Sequence, residues 1–347
     1  MSTPSFRPLR RLMAVLAFLG AAASAEPLVY VPTGEANRLV AVDLARGAVT
    51  AAIDGVVASH GLAYAPEAGV LIAGSFQTVA PAGMPARPAG VSQSEHEAHH
   101  RGGGDASASG LVYLVDVATG AIRRQVPVAG PVHHVLALPG GRWGVATHPT
   151  GGGISVVDLQ TGRMAARVAT GPAPNYAVAS ADGGRVWVSN TGNGTVSEID
   201  TGRWIVRRNI VVEGGPEHMA LSRDARRLFV VAAETGEVVE IDLPAGVVAA
   251  RYAVGRSPHG LALSADGRQV FVAVNGEDKL VALRPDERSM RTLALAPRPY
   301  HVTVAPDNRI LVTSSADGRL WLVDADPLAV RSTLQLGAVG HQMALVP

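Results

Sequence analysis

Arg251–Asp266, RYAVGRSPHGLALSAD, decides the fold. It contains the end of one β-run, a Gly/Pro turn, a histidine, a short apolar run and a second turn. Close relatives of this stretch return along the whole chain. The turn SADG at Ser264–Gly267 comes back as SADG at Ser180–Gly183, SRDA at Ser222–Ala225 and APDN at Ala305–Asn308. Small, turn-forming residues fill these positions because the chain must reverse tightly there.

The period is set by an aspartate that closes an apolar strand. It falls at Asp43, Asp116, Asp158, Asp200, Asp242 and Asp324, with Arg284 in the same slot once. From Asp116 to Arg284 the step is 42 residues, the last step is 40, and the first is 73, one repeat plus an insertion of 31. Seven repeats result. Each carries four apolar runs, such as HGLALS, QVFVAV, KLVALR and MRTLAL, and four strands per repeat of this length is a propeller blade. The expected fold is all-β: a seven-bladed β-propeller of four-stranded blades over residues 26–347. The chain starts on a second strand (LVYVP) and ends on a first (GHQMALVP), so residues 340–346 should pair beside 28–32 and close one blade from both ends. Closure removes sheet edges that would otherwise recruit other chains.

VWVSNTGNGTVSEID (Val186–Asp200) resembles the YVTN repeat of exported bacterial seven-bladed propellers. The resemblance covers essentially residues 27–347. It implies the fold and leaves function open, because that family spans surface proteins, lactonase-like enzymes, and relatives of the haem d1 and nitrous oxide reductase propellers.

The first 25 residues, MSTPSFRPLRRLMAVLAFLGAAASA, have the organisation of a signal peptide: a basic region (Arg7, Arg10, Arg11), an apolar region, and a small-residue site after Ala25. A periplasmic location is expected, and the Arg10-Arg11 pair permits twin-arginine export. No later apolar run is long enough for membrane insertion. Cleavage lowers Lys+Arg from 30 to 27 against 29 acids, a balance that argues against a nucleic-acid surface. With no cysteine, disulfides, thiolate metal sites and c-type haem attachment are excluded. A monomer is expected.

Seventeen residues after each strand-closing position lie His60, His133, Asn175, His259, His301 and His341, and eighteen after lies His218. Innermost strands line a propeller's channel, so these side chains should form a ring at one mouth. His134 adjoins the ring and His148 sits in a turn on the same face. The insertion at 75–109 supplies SEHEAHH, with His96, His99 and His100, to that face as well. Its Gly/Ala/Ser/Pro-rich composition is that of a mobile loop, and a short His/Glu tract in it is a metal-capture composition.

Imidazoles converging from separate strands suit zinc or copper. The expected role is therefore a metal-binding propeller, with a capture loop feeding the ring and passing the ion to a periplasmic metal-accepting protein. Met343, two residues after His341, should face the channel and hints at copper. The scheme is similar to nitrous oxide reductase, whose propeller histidines hold a copper–sulfide cluster, and to periplasmic zinc chaperone propellers. Three other readings stand beside it. One is a haem d1-like macrocycle binder or oxidoreductase, with Arg256 and Arg298 as carboxylate contacts. Another is a lactonase-like hydrolase, against which strand alternation should turn Glu217 away from the channel. The last is an interaction scaffold whose imidazoles line a wet channel. Trp143, Trp187, Phe229 and Phe271, recurring in second strands, are expected in the core between blades.

Overall fold

A computed structural model describes residues 27–78 and 110–347. The expected signal peptide and the His96/His99/His100 tract lie outside the described residues.

The described residues form seven four-stranded antiparallel sheets, each built from four consecutive strands except the one that joins the chain ends. In that blade Ala344–Val346 pairs with Leu28–Thr33, which pairs with Arg38–Asp43, which pairs with Ala48–Asp54. Closure by both ends is thus observed. Among the described residues the helical segments are single 3-10 turns, and no helix is long and apolar enough to cross a membrane.

Burial explains the composition of each strand. Second and third strands are sandwiched by neighbouring blades, so both faces are apolar and alternation disappears; all of Val270–Val274 (VFVAV) is buried. The fourth strand lies at the rim and alternates, as in Val247–Ala253. Trp187, Phe229 and Phe271 are in the core as expected. Trp143 is only half-buried, with the Arg142 guanidinium 4.3 Å above its ring.

Two irregularities recur, and both bear on the channel. At the start of the innermost strands the pairing register slips, between Pro174 and Ala177, Pro216 and Met219, Pro258 and Leu261, and Pro299 and Val302. A bulge of this kind breaks strict in–out alternation, so two consecutive side chains turn toward the axis. A second slip separates the third and fourth strands of six blades. The pair Lys279–Arg284 and Ser289–Ala294 alone keeps an unbroken register, and its outer strand is one residue shorter.

Candidate metal centre

The doubled channel position gives each blade two axial residues. The outer tier holds His60, His133, Asn175, Glu217, His259, Tyr300 and His341. The inner tier holds Gly61, His134, Tyr176, His218, Gly260, His301 and Gln342. The seventeen-residue count therefore mixes tiers. His218 and His301 belong with His134, and the short outer strand before Tyr300 is what moves the count onto His301.

The inner histidines are almost wholly buried: His134 is 1% exposed, His218 and His301 each 2%. Glycine at two of the seven inner positions lets the next blade's backbone approach closely. A Cβ on Gly61 would stand 2.7 Å from the His134 backbone, and one on Gly260 would stand 2.2 Å from the Tyr300 carbonyl oxygen. Tyr176 stacks on His218 with ring centroids 4.3 Å apart. Gln342 closes the inner side. Its Oε1 accepts from the Leu62 and Val135 amides at 3.1 and 3.3 Å, and its Nε2 donates to the Val135 carbonyl at 3.1 Å.

The sequence-derived ring residues are brought together. His60 lies 4.5 Å from His133 and 4.2 Å from His341, while His134 lies 4.7 Å from His218 and 5.4 Å from His301, centroid to centroid. Ligand nitrogens of three triads fall within 4.8 Å of one another: His60/His301/His341, His60/His133/His134 and His134/His218/His301. Bonds of 2.0–2.1 Å to one ion require nitrogens about 3.4 Å apart, so a bound ion would draw the rings together from this spacing.

Hydrogen bonding orients the lone pairs. A carbonyl oxygen only accepts, so Nδ1 of His60, 3.0 Å from the His133 carbonyl, and Nδ1 of His134, 2.9 Å from the Asn175 carbonyl, carry the protons. Nε2 is left basic in both, the tautomer control that outer partners exert on metal-binding imidazoles. Nε2 of His134, His218 and His301 are all buried with no protein partner. Leaving such an atom unsatisfied costs about 1–3 kcal/mol, and three side by side is an arrangement a ligand would repay.

The cluster is held neutral. Burial, then the neighbouring imidazoles, push His60, His134, His218 and His301 well below the usual histidine range. Burial takes His133 down to about 3 and His341 to about 4. Neutral imidazole is the form that binds a metal.

Glu217 departs from the expected alternation. The bulge turns it to the channel, where Oε2 accepts from His259 Nδ1 at 2.8 Å. His259 stacks on Tyr300 at 3.9 Å, and its Nε2 is buried without a protein partner. Asn175 faces the cluster with its Oδ1 likewise unpartnered.

Other candidates stand apart. His148 has both nitrogens engaged, Nδ1 with the Pro131 carbonyl at 3.0 Å and Nε2 with Ser155 Oγ at 2.7 Å. It does in its blade what Asn190 does in the next, where Nδ2 bonds Ser197 Oγ at 2.9 Å. Arg256 pairs with Glu277 and bonds the Gly276 carbonyl, while Arg298 Nε bonds Asn275 Oδ1. Met343 is buried with Val29, Val31 and Leu336 in the closing blade and also borders the cavity that Tyr176 and Gln342 line. Phe76, which the sequence reading passed over, is half exposed and lies 5.9 Å from His60 and 5.6 Å from His133. It lies in the first residues of the 75–109 insertion, which therefore leaves the disc at the histidine mouth.

No protein-family profile and no curated protein matches the chain. Solved structures do. A candidate 6-phosphogluconolactonase of Bacteroides fragilis superimposes with a TM-score of 0.74 at 12% identity over 94% of this chain and 99% of its own. The periplasmic gluconolactonase of Pseudomonas aeruginosa gives 0.70 at 18% identity over 92% and 99%. Kuenenia stuttgartiensis hydrazine synthase gives 0.65 at 15% over 89% and 92%. At these identities what is shared is the architecture: this chain is a seven-bladed β-propeller with gluconolactonase-like structural neighbours.

Proposed function

We propose that this propeller binds a transition-metal ion, zinc or copper, in the histidine cluster on its axis, and works as an exported metal carrier that delivers the ion to a periplasmic acceptor. The observation that carries the reading is the inner triad: His134, His218 and His301 are buried, neutral and adjacent, each with an unpartnered Nε2. Cysteine-free, all-imidazole coordination suits zinc and copper better than hard cations such as Mg2+ or Ca2+. The signal-like N-terminus and the His/Glu tract of the insertion support export and ion capture.

The test is elemental analysis of untagged protein, repeated on a His134→Ala/His218→Ala/His301→Ala variant. The expected result is about one zinc or copper ion per chain, lost in the variant; equal metal content in the two would overturn the assignment.

A second reading is favoured by one contact. Glu217 and His259 form a carboxylate–imidazole pair at the same mouth, and lactonases are among the structural neighbours. Hydrolysis of a sugar lactone there would be abolished by Glu217→Gln and unaffected by chelators, whereas a metal carrier shows no turnover.

A further inference from the structure

The three triads overlap: each pair shares one histidine, His60, His134 or His301. A shared ring can serve two ions at once only through both of its nitrogens. Nδ1 is committed to a carbonyl in His60 and His134, so each offers Nε2 alone. The triad His60/His133/His134 therefore competes with each of the other two for a ligand. His301 joins the remaining pair, and its buried Nε2 has no protein partner. The triads also differ in depth. His60/His301/His341 and His60/His133/His134 each include two partly exposed rings, whereas His134/His218/His301 is buried throughout.

The geometry points to a ligand-exchange relay within the proposed metal site: a single ion enters at either outer triad and moves into the inner one while staying bound to a shared histidine. From the His60/His133/His134 triad the ion pivots on His134, releasing His60 and His133 as His218 and His301 bind. From the His60/His301/His341 triad it pivots on His301. At no point is the ion without protein ligands, which is how a carrier exchanges a tightly held ion without free dissociation. Gln342, with both ends of its amide bonded, spans the inner side, and the partly exposed rings of the outer triads make the histidine mouth the way in.

This inference rests on the metal reading, and the experiment separates the two. Purified protein is loaded with Zn2+ and, in parallel, Cu+. Stoichiometry is read by native mass spectrometry, and loading and chelator-driven release by stopped flow. His133→Ala/His341→Ala breaks both outer triads and leaves the inner one; loading and release should each slow at least tenfold. His218→Ala breaks only the inner triad; the ion should remain at the mouth and be stripped at least tenfold faster. His148→Ala, outside the cluster, should load like the parent. Should the alanine pair fold poorly by circular dichroism, His133→Gln/His341→Gln makes the same test with less lost volume. Two ions per chain, or unchanged kinetics in the outer-triad variants, would overturn the relay while leaving the metal site standing. Failure of the parent to bind either ion would overturn the metal reading itself.

Discussion

Gln342 Oε1 accepts a hydrogen bond from the backbone N–H of Leu62, 280 positions earlier in the chain, at 3.1 Å. The same oxygen serves Val135, so one side chain from the closing strand ties three blades together at the axis. Gln342→Ala leaves two buried amides without their acceptor. At about 1–3 kcal/mol for each unsatisfied group, the expected loss is roughly 2–6 kcal/mol by denaturant unfolding. A change below about 0.5 kcal/mol would show that the amide is not structural.

Metal-free protein should lose stability in acid. Unfolded histidines titrate near 6.5, whereas burial holds His133 down to about 3 and His341 to about 4. Between those values and 6.5 the unfolded state carries more protons, so stability is full above about 6.5 and falls as the pH drops through the window. Each such ring contributes up to about 1.4 kcal/mol per pH unit. Urea titrations of chelator-treated protein at pH 7.5, 6 and 5 check this; a flat series would mean that the rings are solvated.

Gly260→Ala is expected to be among the costliest single changes. Its Cβ would stand 2.2 Å from the Tyr300 carbonyl oxygen and 2.6 Å from the Val302 nitrogen, both backbone atoms with little freedom to move. A loss of about 1–3 kcal/mol or more follows from overpacking. His259 and His301 flank the collision, so metal retention should fall with it. A variant with the parental melting temperature would contradict the packing of these two blades.

His148→Ala separates structure from ligation. The substitution removes two hydrogen bonds and takes away this partner of the Pro131 carbonyl, while Ser155 Oγ keeps only the Ala129 amide at 3.2 Å. Stability should drop by about 1–3 kcal/mol while bound metal per folded chain stays constant. Loss of metal without loss of stability would move His148 into the site.

The blades were legible in the sequence because duplication wrote the same turn and the same strand-ending aspartate many times. Closure was legible from a chain that starts on a second strand and ends on a first. The tiers were not. Period-two reasoning sends Glu217 outward, but the slip between Pro216 and Met219 turns both Glu217 and His218 inward. The slip leaves no mark on the spacing, since blades with the seventeen-residue interval share it; the eighteen-residue interval at His218 marks a histidine on the other tier. Reading Tyr300-His301 and His133-His134 as paired positions would have shown the second tier.

The blade shared by the two chain ends sets a timetable. His341 and Gln342 reach the axis only when the last strand docks on the first, so the six-imidazole cluster is among the last features a growing or refolding polypeptide can acquire. A chain stopped before residue 341 could build six blades of the disc and still lack His341 and the Gln342 bridge at its hub.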